Sequence, residues 1–458
     1  MTVVRRIALG LCLTCSVAAG RAGAQAPATS PPLTLVQPDG QAANPVVMTL
    51  LDAIERARSY AARFQASVAD ATMASEDRIQ ARASLLPSFS HTTQYLGTQG
   101  DTPLKTGRFV SNDGVHVYRS WLVAHEELSA NMLTPIRRAT AADALAEAKL
   151  EIARRGLTVT VTQQYYALVT AERTYAAAQQ AEQQAQRFFE MAQQQQRLGQ
   201  VARADVVKAE IHYRQQEQAG RNAALQTENA RLQLSVLLFP SFNQNFTVVD
   251  DLTATPALPP FPEVRTMAEH DNPDLRAASA ALRVAEQDVS GARNAFLPTV
   301  FIDADYGIEA NAFALHSRVA ADPELGVLPN LGYFVTVNLS VPIWDWGGLR
   351  SKLHQSRARA TQAQVELTQT QREAIRNLYV LYNEALAARD ASEGAAHIAD
   401  LASESLRLTN LRYQAGESTA LEVVDAQNTR VQARDAYDAA LMSYRIAIAE
   451  LQTLTGDF

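Results

Sequence analysis

The chain has 458 residues, 48 acidic and 41 basic side chains, a formal net charge of −7 and 2 cysteines. An acidic balance of this kind argues against nucleic acid as a partner. Both cysteines, Cys12 and Cys15, fall in a segment read below as cleaved, which excludes disulfide, thiolate and cysteine–metal chemistry from the mature chain.

In chain order, Arg5 and Arg6 precede an apolar stretch at 7–19, and Ala22, Gly23 and Ala24 offer small residues for cleavage. Residues 1–24 are therefore read as a secretory signal peptide; the apolar run is too short to span a bilayer. Neither cysteine sits in a lipoprotein pattern, so no lipid anchor is expected. Removing 1–24 takes away Arg5, Arg6 and Arg21 and no acid, moving the net charge from −7 to −10. Residues 25–45 read as an extended segment. No later stretch has eighteen consecutive apolar residues, so any membrane crossing must use the strands of a barrel.

The rest of the chain repeats one plan. Residues 81–87 (ARASLLP) align with 292–298 (ARNAFLP), an offset of 211. Gly199, Val206, Val207 and Ala209 align with Gly416, Val423, Val424 and Ala426, an offset of 217. Two distant landmarks with nearly equal offsets indicate duplication. The first repeat is placed at 46–238 and the second at 263–458. Between them lies a linker at 239–262, whose prolines cannot continue a helix.

Each repeat begins with a helical stretch (about 46–85 and 263–296) that ends at Leu-Pro. A polar, glycine-containing section follows, then a proline-free stretch rich in Ala, Gln, Arg and Glu (about 136–197 and 347–412). After the glycine turn a return helix runs to about 238 and 456. A helix of that length reaches on the order of 90–100 Å. The small apolar residues of 357–386, among them Ala358, Ala360 and Ala363, suit close side-by-side helix packing.

Strands are expected at about 87–97 and 115–125 in the first repeat and at about 298–308 and 332–342 in the second. In 333–341 (YFVTVNLSV) Tyr333, Val335, Val337, Leu339 and Val341 alternate with Phe334, Thr336, Asn338 and Ser340. Residues 299–308 alternate likewise, with Asp303 and Asp305 on the polar side. In 115–124, Arg119 falls in the row of Val117, Trp121 and Val123. An arginine facing lipid at mid-depth costs ~2–4 kcal/mol, so either this register is wrong or Arg119 sits near an interface. Linkers 97–114 and 309–332 are expected to form outer loops. Four strands cannot close a transmembrane barrel, since the smallest have about eight, so a barrel must be shared between chains.

These features resemble the TolC-like outer membrane efflux proteins. The resemblance rests on Leu85-Leu86-Pro87 and Phe296-Leu297-Pro298, on Asn272-Pro273-Asp274-Leu275-Arg276, on 341–348 (VPIWDWGG) and on 412–427 (RYQAGESTALEVVDAQ). It covers essentially the whole mature chain. It departs at 61–65 (AARFQ), where the first repeat lacks Asn-Pro, and at 128–135 (LSANMLTP), which lacks Gly-Gly.

The resemblance implies a mainly α fold with a membrane β-barrel. Duplicated long-helix hairpins would form a periplasmic α-barrel, and four strands per chain would contribute to a shared 12-stranded trimeric barrel in the outer membrane lipid. A small mixed domain is expected near 239–262 and the C-terminal end. The implied function is a passive exit duct of a tripartite efflux pump or type I secretion system. Its partners would be a periplasmic adaptor (membrane fusion) protein and an inner-membrane pump of RND, ABC or MFS type, with no cofactor and no catalysis.

The resemblance also places Gly199 and Gly416 at the hairpin turns of the inner tip. Glu422 and Asp425, three apart on one helix face, stand at the entrance constriction. Tyr413 and Asp205 match a closure contact, while Ser418 stands where the family has an arginine. The eight histidines lack metal-ligand spacing, and no catalytic arrangement stands out. A different class of reading, a soluble periplasmic coiled-coil adaptor or scaffold, would share the helices but has no need of apolar strand rows.

Overall fold

No proline interrupts residues 136–238 or 348–455, and glycines are sparse there, so little stops a helix once started. The computed structural model describes residues 45–97, 116–199, 201–240, 245–310, 313–316 and 329–456. The expected signal peptide, nearly all of the extended segment and most of both outer-loop expectations lie outside the described residues.

The elements are β1 (Val46–Met48), α1 (Leu50–Tyr60), α2 (Ala62–Ala83), β2 (Ser88–Gly97), β3 (His116–Ser129), α3 (Thr134–Arg197) and α4 (Arg203–Leu238). Then come β4 (Phe246–Val248), α5 (Phe261–Asp271), α6 (Pro273–Asn294), β5 (Thr299–Ala310), β6 (Leu331–Ser340), α7 (Gly348–Gln414) and α8 (Ala420–Thr455). The sequence helix, helix, strand, strand, long helix, return helix thus occurs twice.

The long helices α3 and α7 have 64 and 67 residues, roughly 100 Å each. On the buried side of α7, Leu378, Ala385, Ser392, Ala399 and Leu406 recur every seven residues. A strict heptad of mostly small residues draws α7 against α8 as a left-handed coiled coil. The pair α3–α4 packs in the same way, and α2 and α6 extend the rods toward the strands along α3 and α7.

Each entry helix is broken once. Asn272 precedes Pro273, which disfavours the helical conformation at Asn272; its side chain caps α6 through the Asp274 and Leu275 amides at 2.9 and 3.1 Å. The first half breaks at the equivalent Ala61 without a proline. There Gln65 Nε2 donates to the Arg58 carbonyl at 2.6 Å.

The main core lies at mid-height. Val161, Tyr165, Tyr166, Leu168 and Val169 of α3 meet Leu234 and Leu238 of α4 beneath a small parallel sheet of β1 and β4. The Tyr165 hydroxyl donates to the Val249 carbonyl at 2.7 Å, with the Met48 carbonyl at 3.2 Å. Burial, then the charge of Asp251, push its pKa up to about 12.

Candidate functional site

Two regions carry the functional expectations: the four-stranded sheet at one end of the rod and the two turns at the other. The sheet has the order β2-β3-β5-β6, antiparallel throughout, so one hairpin from each half meets at the β3–β5 joint. Register sorts the side chains. Val300, Ile302, Ala304, Tyr306 and Ile308 stand opposite Leu339, Val337, Val335, Tyr333 and Leu331, which gathers the apolar rows on one face. Phe89, Leu122 and Leu128 continue that face into the first half.

Arg119 lies on the other face. It pairs in register with Gln94 and Glu309. Its guanidinium meets Glu309 Oε1 at 2.8 and 2.9 Å and Gln94 Oε1 at 3.3 Å. The row Val117, Arg119, Trp121, Val123 is thus the polar-side row, and its apolar members are not on the apolar face. His125 completes the row with a 2.6 Å contact to Asp303. Ion pairing to β5, absent from any local pattern in β3, decides the register.

At the other end, Gly199 and Gly416 take φ values of 71° and 78°, the left-handed region open to glycine. Gly416 closes α7 with a paired turn: its amide donates to the Tyr413 carbonyl (3.0 Å) and that of Glu417 to the Arg412 carbonyl (2.9 Å). Val206 and Val423, matched across the duplication, are both buried, with Phe188, Ala192, Ala209 and Ala420 around them. Val423 is 1% exposed, whereas its neighbour Val424 is only partly covered.

The two acids of the second turn differ in freedom. Glu422 is the third residue of α8, behind the N-cap Thr419. Ser418 Oγ donates to Glu422 Oε2 at 2.7 Å, and Thr419 Oγ1 lies 3.2 Å from Oε1. Arg412 reaches across the turn to within 3.9 Å of the same carboxylate. The Ser418 hydrogen bond, then those of Thr419 and the charge of Arg412, hold the Glu422 pKa below its ordinary value against a small burial effect. Asp425 is exposed, and among the described residues no side chain engages its carboxylate; its backbone carbonyl accepts from Thr429 Oγ1.

Aligning the turns at the offset of 217 gives Asp205, already matched to a closure contact, a second role and adds Lys208. Asp205 occupies the position of Glu422, and Lys208 that of Asp425. The first turn therefore presents an acid and a base where the second presents two acids. Arg412, beside Tyr413 in the sequence, brings a cation to the turn where Ser418 does not. The Tyr413 hydroxyl donates to Gln195 Oε1 at 3.2 Å, and its ring lies 5.4 Å from that of Phe188. Burial first, and the charge of Asp205 second, raise the tyrosine pKa.

Further up the seam between α4 and α8, His212 is buried, with Nε2 3.0 Å from Gln427 Oε1 and Nδ1 without a protein partner. Arg430 lines the same small cavity. Desolvation lowers the His212 pKa, against the Gln427 hydrogen bond, so the folded chain holds the ring neutral. A depressed pKa stabilises above the unfolded value of about 6.5 and loses that contribution as pH falls through the folded value. Thermal unfolding at about pH 5 is therefore expected below that at about pH 7.5, with a smaller gap in His212→Gln. An unchanged gap would assign the pH response elsewhere.

Among the described residues no group of His, Asp or Glu has metal-holding geometry, and no helix is long and apolar enough to cross a membrane. A helical rod about 100 Å long carrying an antiparallel sheet with one apolar face defines a class: proteins that enter a membrane by strands and reach away from it by helices. Residues 264–457 match the family model described as outer membrane efflux protein. The chain is 32% identical over 188 residues to the pyoverdine export outer membrane protein OpmQ of Pseudomonas aeruginosa, covering 40% of this chain and 35% of that one. It is 25% identical over 256 residues to the outer membrane efflux protein BepC of Brucella suis, covering 54% and 53%. The chain thus spans between about a third and a half of the length of these relatives. Its fold matches the CmeC outer membrane channel of Campylobacter jejuni with a TM-score of 0.74, at 17% identity, over 89% of this chain and 85% of that one.

Residues 264–457 thus carry the pattern of the outer membrane efflux proteins, and the fold of the whole described chain is that of an outer membrane channel.

Proposed function

We propose that three copies of this chain close one twelve-stranded barrel and that the assembly is the passive exit duct of a tripartite efflux pump or type I secretion system. One observation carries the reading: a four-stranded sheet with an apolar face and two unpaired edges, β2 and β6, each of ten residues. Unpaired backbone cannot face hydrocarbon, and a second copy supplies a complementary edge. The helices support the same assembly. Ile398, Leu401, Leu408 and Leu411 on α7, and Val207, Ile211 and Leu225 on α4, are exposed apolar residues that neighbouring rods would cover. A soluble adaptor would have to leave the apolar sheet face in water.

In this reading each repeat, 46–238 and 263–458, supplies a hairpin to the barrel and a hairpin to the tube, with 239–262 as the link. The turns at Gly199 and Gly416 form the inner tip, where a periplasmic adaptor and an inner-membrane pump would dock. Asp425 is the principal acid of the entrance constriction, because its carboxylate is free to face the opening. Glu422 contributes charge from a fixed position held by Ser418 and Arg412. Tyr413 closes the tip through Gln195 and the field of Asp205.

The test is conductance of the purified chain in planar bilayers. A trimer with cation-selective conductance, blocked from the tip side by a trivalent cation, is expected. Asp425→Asn should weaken that block by about tenfold or more, and Glu422→Gln by less. Recovery of the chain in the soluble periplasm without an oligomer would overturn the reading.

A further inference from the structure

Between Asp345 and Glu366 the sequence carries Arg350, Lys352, Arg357, Arg359 and His354 and not one acid, in a chain that is otherwise acidic. All five side chains are exposed, and among the described residues none of the four cations meets a carboxylate within ion-pair distance. Arg350 and Lys352 sit in the first turn or so of α7, where the helix dipole is positive and disfavours cations. The turn itself has no acidic residue, and Asp345, just ahead of it, is taken up by the Gly347 and Leu349 amides. The four cations are thus left to face an anion from outside the chain.

The chain just above this segment is apolar and turned outward. Ile343, Trp344 and Trp346 are 89%, 75% and 90% exposed, and the two indoles meet edge to face at 5.7 Å. They follow directly on β6, whose apolar face carries Val335, Val337 and Leu339, with exposed Val341 and Ile343 between. Trp346 holds φ at 57°, uncommon for a bulky side chain, next to Gly347 at 86°. Asp345 fixes this corner: Oδ1 accepts from the Gly347 amide at 3.0 Å and Oδ2 from the Leu349 amide. The indoles are therefore presented on a rigid corner at the end of the membrane sheet, the level at which tryptophan partitions into headgroups.

On the helix, Leu349, Leu353 and Ser356 face inward to the packed side. Arg350, His354 and Arg357, at i, i+4 and i+7, form a stripe on one flank of that side; Lys352 and Arg359 lie on the other. Only one flank of a helix in a tube wall can face outward.

We propose that the corner of Trp344, Trp346, Arg350 and Arg357 is a docking surface for anionic phospholipid headgroups of the leaflet nearest the helices. The indoles seat at the level of the glycerol backbone and the two guanidinium groups hold the phosphate, with His354 between them. Charge complementarity and continuity with the apolar sheet face both select a lipid surface as the occupant. The inference rests on outer-membrane residence and not on conductance, so a closed or non-conducting chain would leave it standing.

The test uses the full-length chain reconstituted in vesicles and the fluorescence of its tryptophans. Phosphatidylglycerol with brominated acyl chains, in a phosphatidylcholine background, is compared with brominated phosphatidylcholine. Preferential quenching by phosphatidylglycerol is expected, about fivefold in apparent association, declining toward parity in about 1 M salt. Trp344→Phe/Trp346→Phe should remove most of the quenching, because Trp121 lies on the polar face of β3. Arg350→Gln/Arg357→Gln should bring the lipid ratio to about one while the oligomer and the quenching by phosphatidylcholine persist. Lys352→Gln/Arg359→Gln should leave the ratio unchanged. Equal quenching by the two lipids at low salt, no quenching by either, or a ratio moved only by the Lys352/Arg359 pair would overturn the proposal.

Discussion

Gly307→Ala is expected to abolish formation of the four-stranded sheet, and with it the proposed trimer, whose amount in the membrane fraction should fall to a small residue of that from the wild-type chain. A Cβ at Gly307 would lie 2.0 Å from the Ser120 carbonyl oxygen and 2.8 Å from the Trp121 Cα. Both are backbone atoms of β3, which cannot swing aside as a side chain could. The glycine stands in register with Trp121 and Gly332. The Trp121 and Phe334 rings meet edge to face at 5.4 Å and cover the gap its missing side chain leaves. Relief of the clash requires β3 and β5 to separate, and that joint is where the hairpins of the two halves meet. Overpacking by one methyl against backbone costs at least ~1–3 kcal/mol and rises steeply where nothing can move. Gly332→Ala provides the control, since no atom lies within 4 Å of its added Cβ, and it should assemble normally. Semi-native electrophoresis of both variants decides the matter: equal oligomer from Gly307→Ala would refute the close-approach argument.

The same region separates what could be read from the chain from what could not. The alternation of 333–341 and of 299–308 was legible because one face of β6 and β5 is uniformly apolar, so period two survives in the sequence. In β3 it was not, because Val117, Trp121 and Val123 accompany Arg119 on the polar face while Ser120 and Glu126 interrupt the other. Only pairing with Gln94 and Glu309 assigns the faces, and pairing is not a local property. The long helices and both glycine turns were visible from absent prolines and a repeated pattern. The three-residue strands β1 and β4 were not, being too short for any period; Tyr165, distant in sequence, joins them through its hydroxyl. At the tip, spacing placed Glu422 and Asp425 on one helix face but could not distinguish them. The difference lies in rotamers: Ser418, Thr419 and Arg412 engage one carboxylate, and nothing comparable engages the other.

Asp438→Ala should be the most damaging single substitution outside the membrane sheet, at about 3–5 kcal/mol, the usual cost of removing one partner from a buried ion pair. Asp438 on α8 is 1% exposed and accepts from Arg173 Nη1 of α3 at 2.8 Å, with Arg434 Nε at 3.4 Å. Arg173 also forks onto Asp250, in the segment after β4, at 2.6 and 2.7 Å. One guanidinium therefore ties together the first half, the second half and the link between them, at the height where the main core sits. Burial raises the Asp250 pKa, but the Arg173 hydrogen bond and charge outweigh it and hold the carboxyl below its ordinary value. With the folded pKa depressed, this contribution is present above about pH 3.8 and is lost as pH falls through the folded value. Protonation of Asp250 below that pH should loosen this clasp. Asp438→Asn, which preserves shape and one hydrogen bond, should cost less than alanine. Arg173→Met/Asp438→Leu, which removes both charges, should recover much of the loss, because well-packed apolar replacements of a buried pair are often close to neutral. Chemical denaturation of the three variants gives the ordering: alanine worst, asparagine intermediate, and the double replacement near wild type. An alanine variant as stable as wild type would show that the clasp contributes little and that the apolar core alone joins the halves.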